Sequence, residues 1–332
     1  MGEFELLAAL RERLPTPGPR VRVGSGDDAA VTVPGGATAT SVDAIVDGVH
    51  FRRGAAEPGQ IGHKALAAAL SDLAAMGAEA GEAYVVAGLP PDLGEEEFLG
   101  LLDGMLALAA ETGTTLAGGD LTRAPALTLA LTVVGHAPGP ERLVTRGGAE
   151  PGDALVLSGE LGGAAAGLLL LERPELAAAV PAETAERLRR RQLEPMPRLR
   201  TGQALAAAGA RAMIDLSDGL AGDARHLAAA SGAALWIDAA ALPLASGVAE
   251  IAAAAGRNPL ELAASGGEDY ELLAALPPQR LSDASIAIGE AAETMLTPIG
   301  EVGAGEGVEI RLPGGGLLTA AGYDQLRSSP ER

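Results

Sequence analysis

Leu70-Ser71-Asp72-Leu73-Ala74-Ala75-Met76-Gly77-Ala78 carries a carboxylate where an ordinary helix has little use for one. The run before it, Ile61-Gly62-His63-Lys64-Ala65-Leu66-Ala67-Ala68-Ala69, is rich in helix formers. Pro58 suits a first helical position and Gly77 a residue just past the end, so the pattern predicts a helix over about 59–76. At helical spacing Leu66, Leu70, Leu73 and Met76 form a core stripe, and Asp72 falls on a second stripe with Ala65, Ala68 and Ala75. A face of small residues admits another backbone or a ligand. An anion in the last turns of a helix meets the unfavourable end of the macrodipole, and a bound cation would reverse that penalty. A solvated aspartate on an exposed edge is the plain alternative.

The chain of 332 residues has room for two domains of ordinary size. Hydrophobic residues are 48% of it and aromatics only 2%, which predicts aliphatic, alanine-rich cores. A formal charge of -20 argues against a nucleic-acid partner and against an anionic membrane surface. Lysine occurs once, as Lys64, so if the substrates are phosphates the positive charge must come from scattered arginines and bound metal. The absence of cysteine excludes disulfides, thiolate nucleophiles and cysteine-ligated zinc or iron-sulfur sites. Met1–Leu14 reads as an amphipathic helix with three glutamates, unlike a leader peptide, and no apolar run approaches membrane-spanning length. A cytoplasmic protein is expected.

Along the chain, Val21–Val23 reads as a short strand entering the turn Gly24-Ser25-Gly26-Asp27-Asp28, and Ala30–Val33 and Ala37–Ile45 as strands, the second ending in Ser41-Val42-Asp43. Tyr84–Leu89 is expected to be a strand, Glu95–Thr112 a helix closed by Gly113, and Leu127–Val134 a strand; Leu116-Ala117-Gly118-Gly119-Asp120 lies between. The domain boundary is expected near 137–150. In the second half, strands are predicted at Ala154–Leu157, Ala212–Asp215, Ala234–Ile237 and Glu271–Ala275. Helices are predicted from the Ser158–Gly163 turn through Leu171, over Glu183–Arg191 and Thr201–Ala208, after Gly219 to about Ala230, and as an alanine-rich stretch to Gly256. The Ser158–Gly163 turn is a candidate phosphate cradle at a helix N-terminus, though it lacks dinucleotide spacing.

Asp28, Asp43, Asp72, Asp120, Asp215 and Asp218 share a setting: a strand end, a glycine turn or a small-residue helix face. Scattered aspartates without cysteine point to magnesium over zinc, since hard divalent ions prefer carboxylate, water and phosphate oxygens. Six unrelated turn residues would look the same, because aspartate is favoured in turns. No Gly-x-x-x-x-Gly-Lys-Ser/Thr loop is present, which excludes a P-loop nucleotidase, and no kinase-type glycine loop with its lysine occurs.

Several motifs occur together: Gly24–Asp28, Asp43 with Gly48-Val49-His50-Phe51, Lys64-Ala65-Leu66 with Leu70–Ala78, and Gly118-Gly119-Asp120. Leu143-Val144-Thr145-Arg146, Ile214–Leu220 and Ser265–Leu272 follow in the same order. The set resembles the thiamine-monophosphate kinase family, from Gly2-Glu3-Phe4 to Gly322-Tyr323-Asp324. The resemblance implies the α/β, two-domain, PurM-like fold of the aminoimidazole-ribonucleotide synthetase superfamily. Residues 1–140 would carry the metal-binding aspartates and a sheet that pairs across a homodimer, and 141–332 would complete the ATP and substrate site. It implies ATP-dependent conversion of thiamine monophosphate to thiamine diphosphate, with several Mg2+ ions and no covalent nucleophile.

Carried over position by position, the resemblance makes Asp28, Ser41, Val42, Asp43, Asp72, Asp120, Asp215 and Asp218 metal ligands. Gly119, Asp120, Arg146 and Ser217 would hold ATP, and His50, Glu268 and Tyr323 the thiamine phosphate. The family commonly has Ser-Thr-Asp where this chain has Ser41-Val42-Asp43, so position 42 can join a metal only through its carbonyl. Selenophosphate synthetase and the hydrogenase-maturation dehydratase share the superfamily but depend on cysteine or an equivalent reactive residue, and this chain has none.

Overall fold

The computed structural model describes residues 3–25, 29–292 and 294–323. It divides into two compact units, Met1–Leu143 with Leu193–Leu199, and Val144–Gln192 with Arg200–Arg332.

The first unit runs α1 (Glu3–Arg13), β1 (Val21–Val23), β2 (Val31–Thr32), β3 (Ala37–Val46), α2 (Pro58–Ala75), β4 (Glu79–Leu89), α3 (Glu95–Thr112), β5 (Thr115–Arg123) and β6 (Thr128–Ala137). Four strands form one sheet in the order β3-β6-β4-β5, antiparallel except for β4 with β5. Leu129, Leu131 and Val133 of β6 alternate inward and are buried, while the residues between them are half-buried. The helix predicted around Asp72 is α2. It starts with Pro58 at its first turn, and the Glu57 N–H donates to Gln60 Oε1 at 3.1 Å. Most of α2 is buried, so both predicted stripes face protein, and of their residues Asp72 and Met76, the latter past the last turn, are partly exposed.

Helices α2 and α3 cross at backbone contact. A Cβ on Gly62 would lie 1.8 Å from the Leu101 carbonyl oxygen, and one on Gly104 would lie 1.8 Å from that of Gly59. Acids Glu95–Glu97 occupy the first turn of α3, where the helix dipole favours them, and Gly113 closes it at φ 74°.

The second unit contains β7 (Ala154–Ser158), α4 (Gly163–Glu172), α5 (Ala182–Leu193), α6 (Leu199–Ala208), β8 (Ala212–Asp215), α7 (Leu220–Ser231), β9 (Ala234–Asp238), α8 (Val248–Ala254), α9 (Pro259–Ser265), β10 (Leu272–Leu276), α10 (Leu281–Ala292), β11 (Leu296–Gly303) and β12 (Gly307–Arg311). Its six-stranded sheet has the order β12-β9-β11-β7-β10-β8. Strands β7, β8 and β10 are buried apart from half-buried Ala154, and apolar apart from Ser158 and Asp215 at the ends of β7 and β8, as suits strands covered on both faces. Leu155, Leu157, Ile214 and Leu273 join Leu220 and Leu227 of α7 in one core cluster, and α4, α5 and α8 share a second.

Several expectations need correction. Asp43 and Asp120 are not at strand ends or in turns; they lie inside β3 and β5. Strand β4 begins at Glu79, five residues before the predicted Tyr84, because Glu82 is buried against His136, Nε2 to Oε2 2.8 Å, and Gly81 leaves space for that ring. The alanine-rich helix expected to reach Gly256 is broken by Pro243 and by Gly247 at φ 93°, leaving only α8. Among the described residues no helix is long and apolar enough to cross a membrane.

Candidate active site

In the first unit, strand alternation sends Ser41 and Asp43 to one face of β3 and Val42 to the other, where it is 70% exposed. The Ser41 hydroxyl donates to Asp72 Oδ2, joining β3 to the last turns of α2. Asp43 Oδ1 accepts from the Ala44 N–H at 2.7 Å. Ser41, Asp43 and Asp72 therefore form one oxygen-rich group, and a hydroxyl at position 42 would point away from it.

Asp120 sits elsewhere. Asp43 pairs with Leu131, Leu131 with Val85 and Val85 with Gly119, so the sheet separates Asp43 from the Gly119-Asp120 pair by three strand spacings, about 14 Å along the ladder. Gly119 has a local reason: a Cβ there would stand 2.0 Å from the Val85 carbonyl oxygen. Asp28 lies outside the described residues.

His50 ends a tight turn after β3. The Val46 N–H donates to His50 Nδ1 at 3.1 Å, which leaves the neutral ring's proton on Nε2. Lys64, 2% exposed, donates to the His50 carbonyl at 3.3 Å. Gly48, at φ 82°, donates its N–H to the Phe51 carbonyl. Arg53 then pins the turn to α3, with both Glu97 oxygens at 2.7 Å and Asp92 at 3.0 Å.

In the second unit the expected residues converge on the loop Leu216-Ser217-Asp218. Its backbone is gripped from both sides. The Glu268 N–H donates to the Ser217 carbonyl at 2.8 Å, the Tyr270 N–H to the Leu216 carbonyl at 2.9 Å, and the Tyr323 N–H to the Asp218 carbonyl at 2.9 Å. Gly222 and Gly322 meet at backbone contact, which brings the tail segment onto the start of α7. Tyr323 is 38% exposed and so is no core anchor.

Asp223, which sequence reasoning missed, lies beneath this loop and accepts the Asp218 N–H at 3.0 Å. Burial pushes its carboxyl up to about 8, with Asp215 and then Asp218 adding to the shift and Arg146 opposing it. Arg146, Asp215 and Asp218 are thus each within electrostatic reach of Asp223.

The Ser158–Gly163 turn is not an open cradle. Asp269 already fills it, accepting the Gly162 N–H at 2.7 Å and the Ala164 N–H at 3.1 Å at the start of α4. Buried Glu271 beside it accepts from the Ser158 hydroxyl at 2.7 Å and from Arg191 at 3.2 Å. Burial pushes the Asp269 carboxyl up to about 6, against the pull of the two N–H groups and Arg191.

Among the described residues no three His, Cys, Asp or Glu side chains group closely enough to hold an ion by themselves. The donors present are carboxylates and a serine hydroxyl. That set fits magnesium, which takes one or two carboxylates and completes its shell with water and substrate phosphates.

Residues 26–137 match the N-terminal domain, and residues 150–313 the C-terminal domain, of AIR synthase related protein. That defines the class as a two-domain AIR-synthase-type protein. Thiamine-monophosphate kinase of Mycobacterium tuberculosis is 39% identical over 276 residues, 82% of this chain and 80% of that protein. The crystal structure of thiamine-monophosphate kinase from Stenotrophomonas maltophilia matches with a TM-score of 0.80 at 35% identity, over 92% of this chain and 94% of that one. AaThiL complexed with AMPPCP and TMP matches with a TM-score of 0.73 at 29% identity, over 93% of each chain. This chain belongs to the thiamine-monophosphate kinase family.

The raised carboxyl of Asp269 has a stability signature. With an ordinary value of 3.8 and a folded value of about 6, the favourable contribution is complete below pH 3.8 and is lost as pH rises through about 6. The span corresponds to about 3 kcal/mol. In urea titrations between about pH 4 and pH 7, wild-type stability relative to Asp269→Asn should therefore fall as pH increases. A pH-independent difference would refute the assignment.

Proposed function

We propose that this protein transfers the terminal phosphoryl group of ATP to the phosphate of thiamine monophosphate, giving thiamine diphosphate and ADP. The bond from the γ phosphorus to its bridging oxygen breaks as a bond to the acceptor phosphate oxygen forms, in line and without a covalent enzyme intermediate. The observation that carries this reading is the convergence of Arg146, Asp215, Ser217, Asp218, Glu268 and Tyr323 on one loop. The family's AaThiL complex with AMPPCP and TMP supports it.

The roles follow from the chemistry of each group. Arg146 supplies a guanidinium suited to nucleotide phosphate, with Gly119 and Ser217 as further nucleotide contacts. The His50 Nε2–H donates a hydrogen bond to the substrate and does not act as an acid or base, because the acceptor phosphate is already ionised near neutral pH. Glu268 and Tyr323 face the cationic thiazolium. Ser41, Asp43, Asp72, Asp120, Asp215 and Asp218 would hold magnesium, with Val42 contributing at most its carbonyl. Bound magnesium neutralises the phosphates of both substrates, which matters in a chain of charge -20.

We infer a homodimer through the first unit's sheet. Val42, 70% exposed, and Val86, 45% exposed, lie on the sheet face opposite Ser41 and Asp43. Sedimentation at micromolar concentration should give twice the 33.1 kDa chain mass, and a monomer would overturn the inference.

Asp43→Ala and Asp120→Ala should each lower turnover by at least about a hundredfold, the scale of losing one preorganised charge stabiliser. Their metal-free thermal stability should not fall. Near-normal turnover in both would end the proposal for these acids.

Tyr323→Ala should raise KM for thiamine monophosphate by about twofold to thirtyfold, the range expected for a lost cation–π contact, with KM for ATP almost unchanged. Tyr323→Phe should be mild. Equal weakening of both substrates would place the thiazolium elsewhere.

A further inference from the structure

The Ser265–Leu272 segment holds its backbone in a sparsely populated form. Among the described residues, Glu268 and Tyr270 are the non-glycine residues at positive φ, 66° and 50°. Such conformations persist only when their surroundings over-determine them, and they gather at functional sites. Here the surroundings are identifiable. Backbone bonds fasten Glu268 to Ser217 and Tyr270 to Leu216. Asp269 is held by the N-terminus of α4, and Glu271 by Ser158 and Arg191. These contacts fix the main chain on either side of the Glu268 side chain.

Gln192 meets that side chain. Its amide, on a residue only 4% exposed, donates from Nε2 to Glu268 Oε2 at 2.6 Å. An ionised carboxylate only accepts, so the amide nitrogen must be the atom facing it. Gln192 is itself locked, because α5 lies against α4 at backbone contact: a Cβ on Gly167 would stand 2.1 Å from the Leu188 carbonyl oxygen and 3.1 Å from Gln192 Cβ.

Adjacent residues of α5 thus treat two acids differently. Arg191 meets buried Glu271 with a full positive charge. Gln192 meets Glu268 with a neutral donor, which holds the carboxylate without adding a positive charge of its own.

We propose that Gln192 is a positioning residue that aims the Glu268 carboxylate and sets the selectivity of this chain for the cationic thiamine ring. The inference rests on the reading of Glu268 as a substrate contact. A cationic residue in its place would hold the carboxylate equally well but remove the charge that attracts a thiazolium.

The test is steady-state kinetics on full-length Gln192→Leu and the isosteric Gln192→Glu, with Glu268→Ala as reference. Gln192→Leu should raise KM for thiamine monophosphate about tenfold, leaving kcat and KM for ATP within about twofold. Gln192→Glu should raise it at least as much. In a Glu268→Ala background, Gln192→Leu should add less than about twofold, since the pair is already broken.

If Glu268→Ala raises KM for thiamine monophosphate but both Gln192 variants match wild type, the positioning role is wrong and the substrate reading stands. If Glu268→Ala itself leaves that KM unchanged, the substrate reading of Glu268 falls and the role of Gln192 with it. Equal loss toward both substrates with a lowered Tm would make Gln192 merely structural and also overturn the proposal.

Discussion

Three consecutive carbonyls, those of Leu216, Ser217 and Asp218, accept N–H groups from Tyr270, Glu268 and Tyr323, and much of the second unit's chemistry depends on that backbone grip. Side-chain charge works against this loop, because Asp215 and Asp218 both act to disfavour the ionised form of Asp223 beneath it. Main-chain hydrogen bonds supply what like charges cannot. They join Asp218, Glu268 and Tyr323 through one hydrogen-bonded main-chain network, so the backbone position of Glu268 is tied to that of Ser217. Preorganised groups of this kind need no reorganisation when charge shifts between phosphates.

The same electrostatic problem is handled differently in the first unit. Ser41 shares a hydrogen bond with Asp72 across a strand and a helix, while Asp120 stands at the opposite edge of the sheet. Spreading the acids limits the repulsion that the folded chain must tolerate in the absence of a counter-ion. Elsewhere, buried acids are met by hydrogen-bond donors: Glu82 by His136, Glu271 by Arg191 and Ser158, and Asp269 by a helix N-terminus.

Local pattern made much of this visible. The helix carrying Asp72, the acid-led and glycine-closed helix Glu95–Thr112, and the strand ending at Asp215 follow from short-range rules, and the structure has them. Asp43 and Asp120 were misread because aspartate and glycine are turn formers by local rules, whereas here sheet pairing overrides that preference. Gln192, Arg191 and Asp269 were invisible for another reason. Their partners Glu268, Glu271 and Gly162 lie far away in sequence, and no periodicity connects them. Asp223 offered a weak signal, an acid five residues after Asp218 in a new helix, that only burial makes meaningful.

The single lysine of this chain is buried beneath the His50 turn. Amine-directed reagents therefore find no exposed side-chain target on the folded protein, and acylation, amine cross-linking or lysine-specific proteolysis should pass it by apart from the terminal amine. Once the turn lifts from α2, the same amine becomes reactive. Lys64 is thus a native single-site label whose modification rate reads the opening of the segment that presents His50, with no engineered probe required.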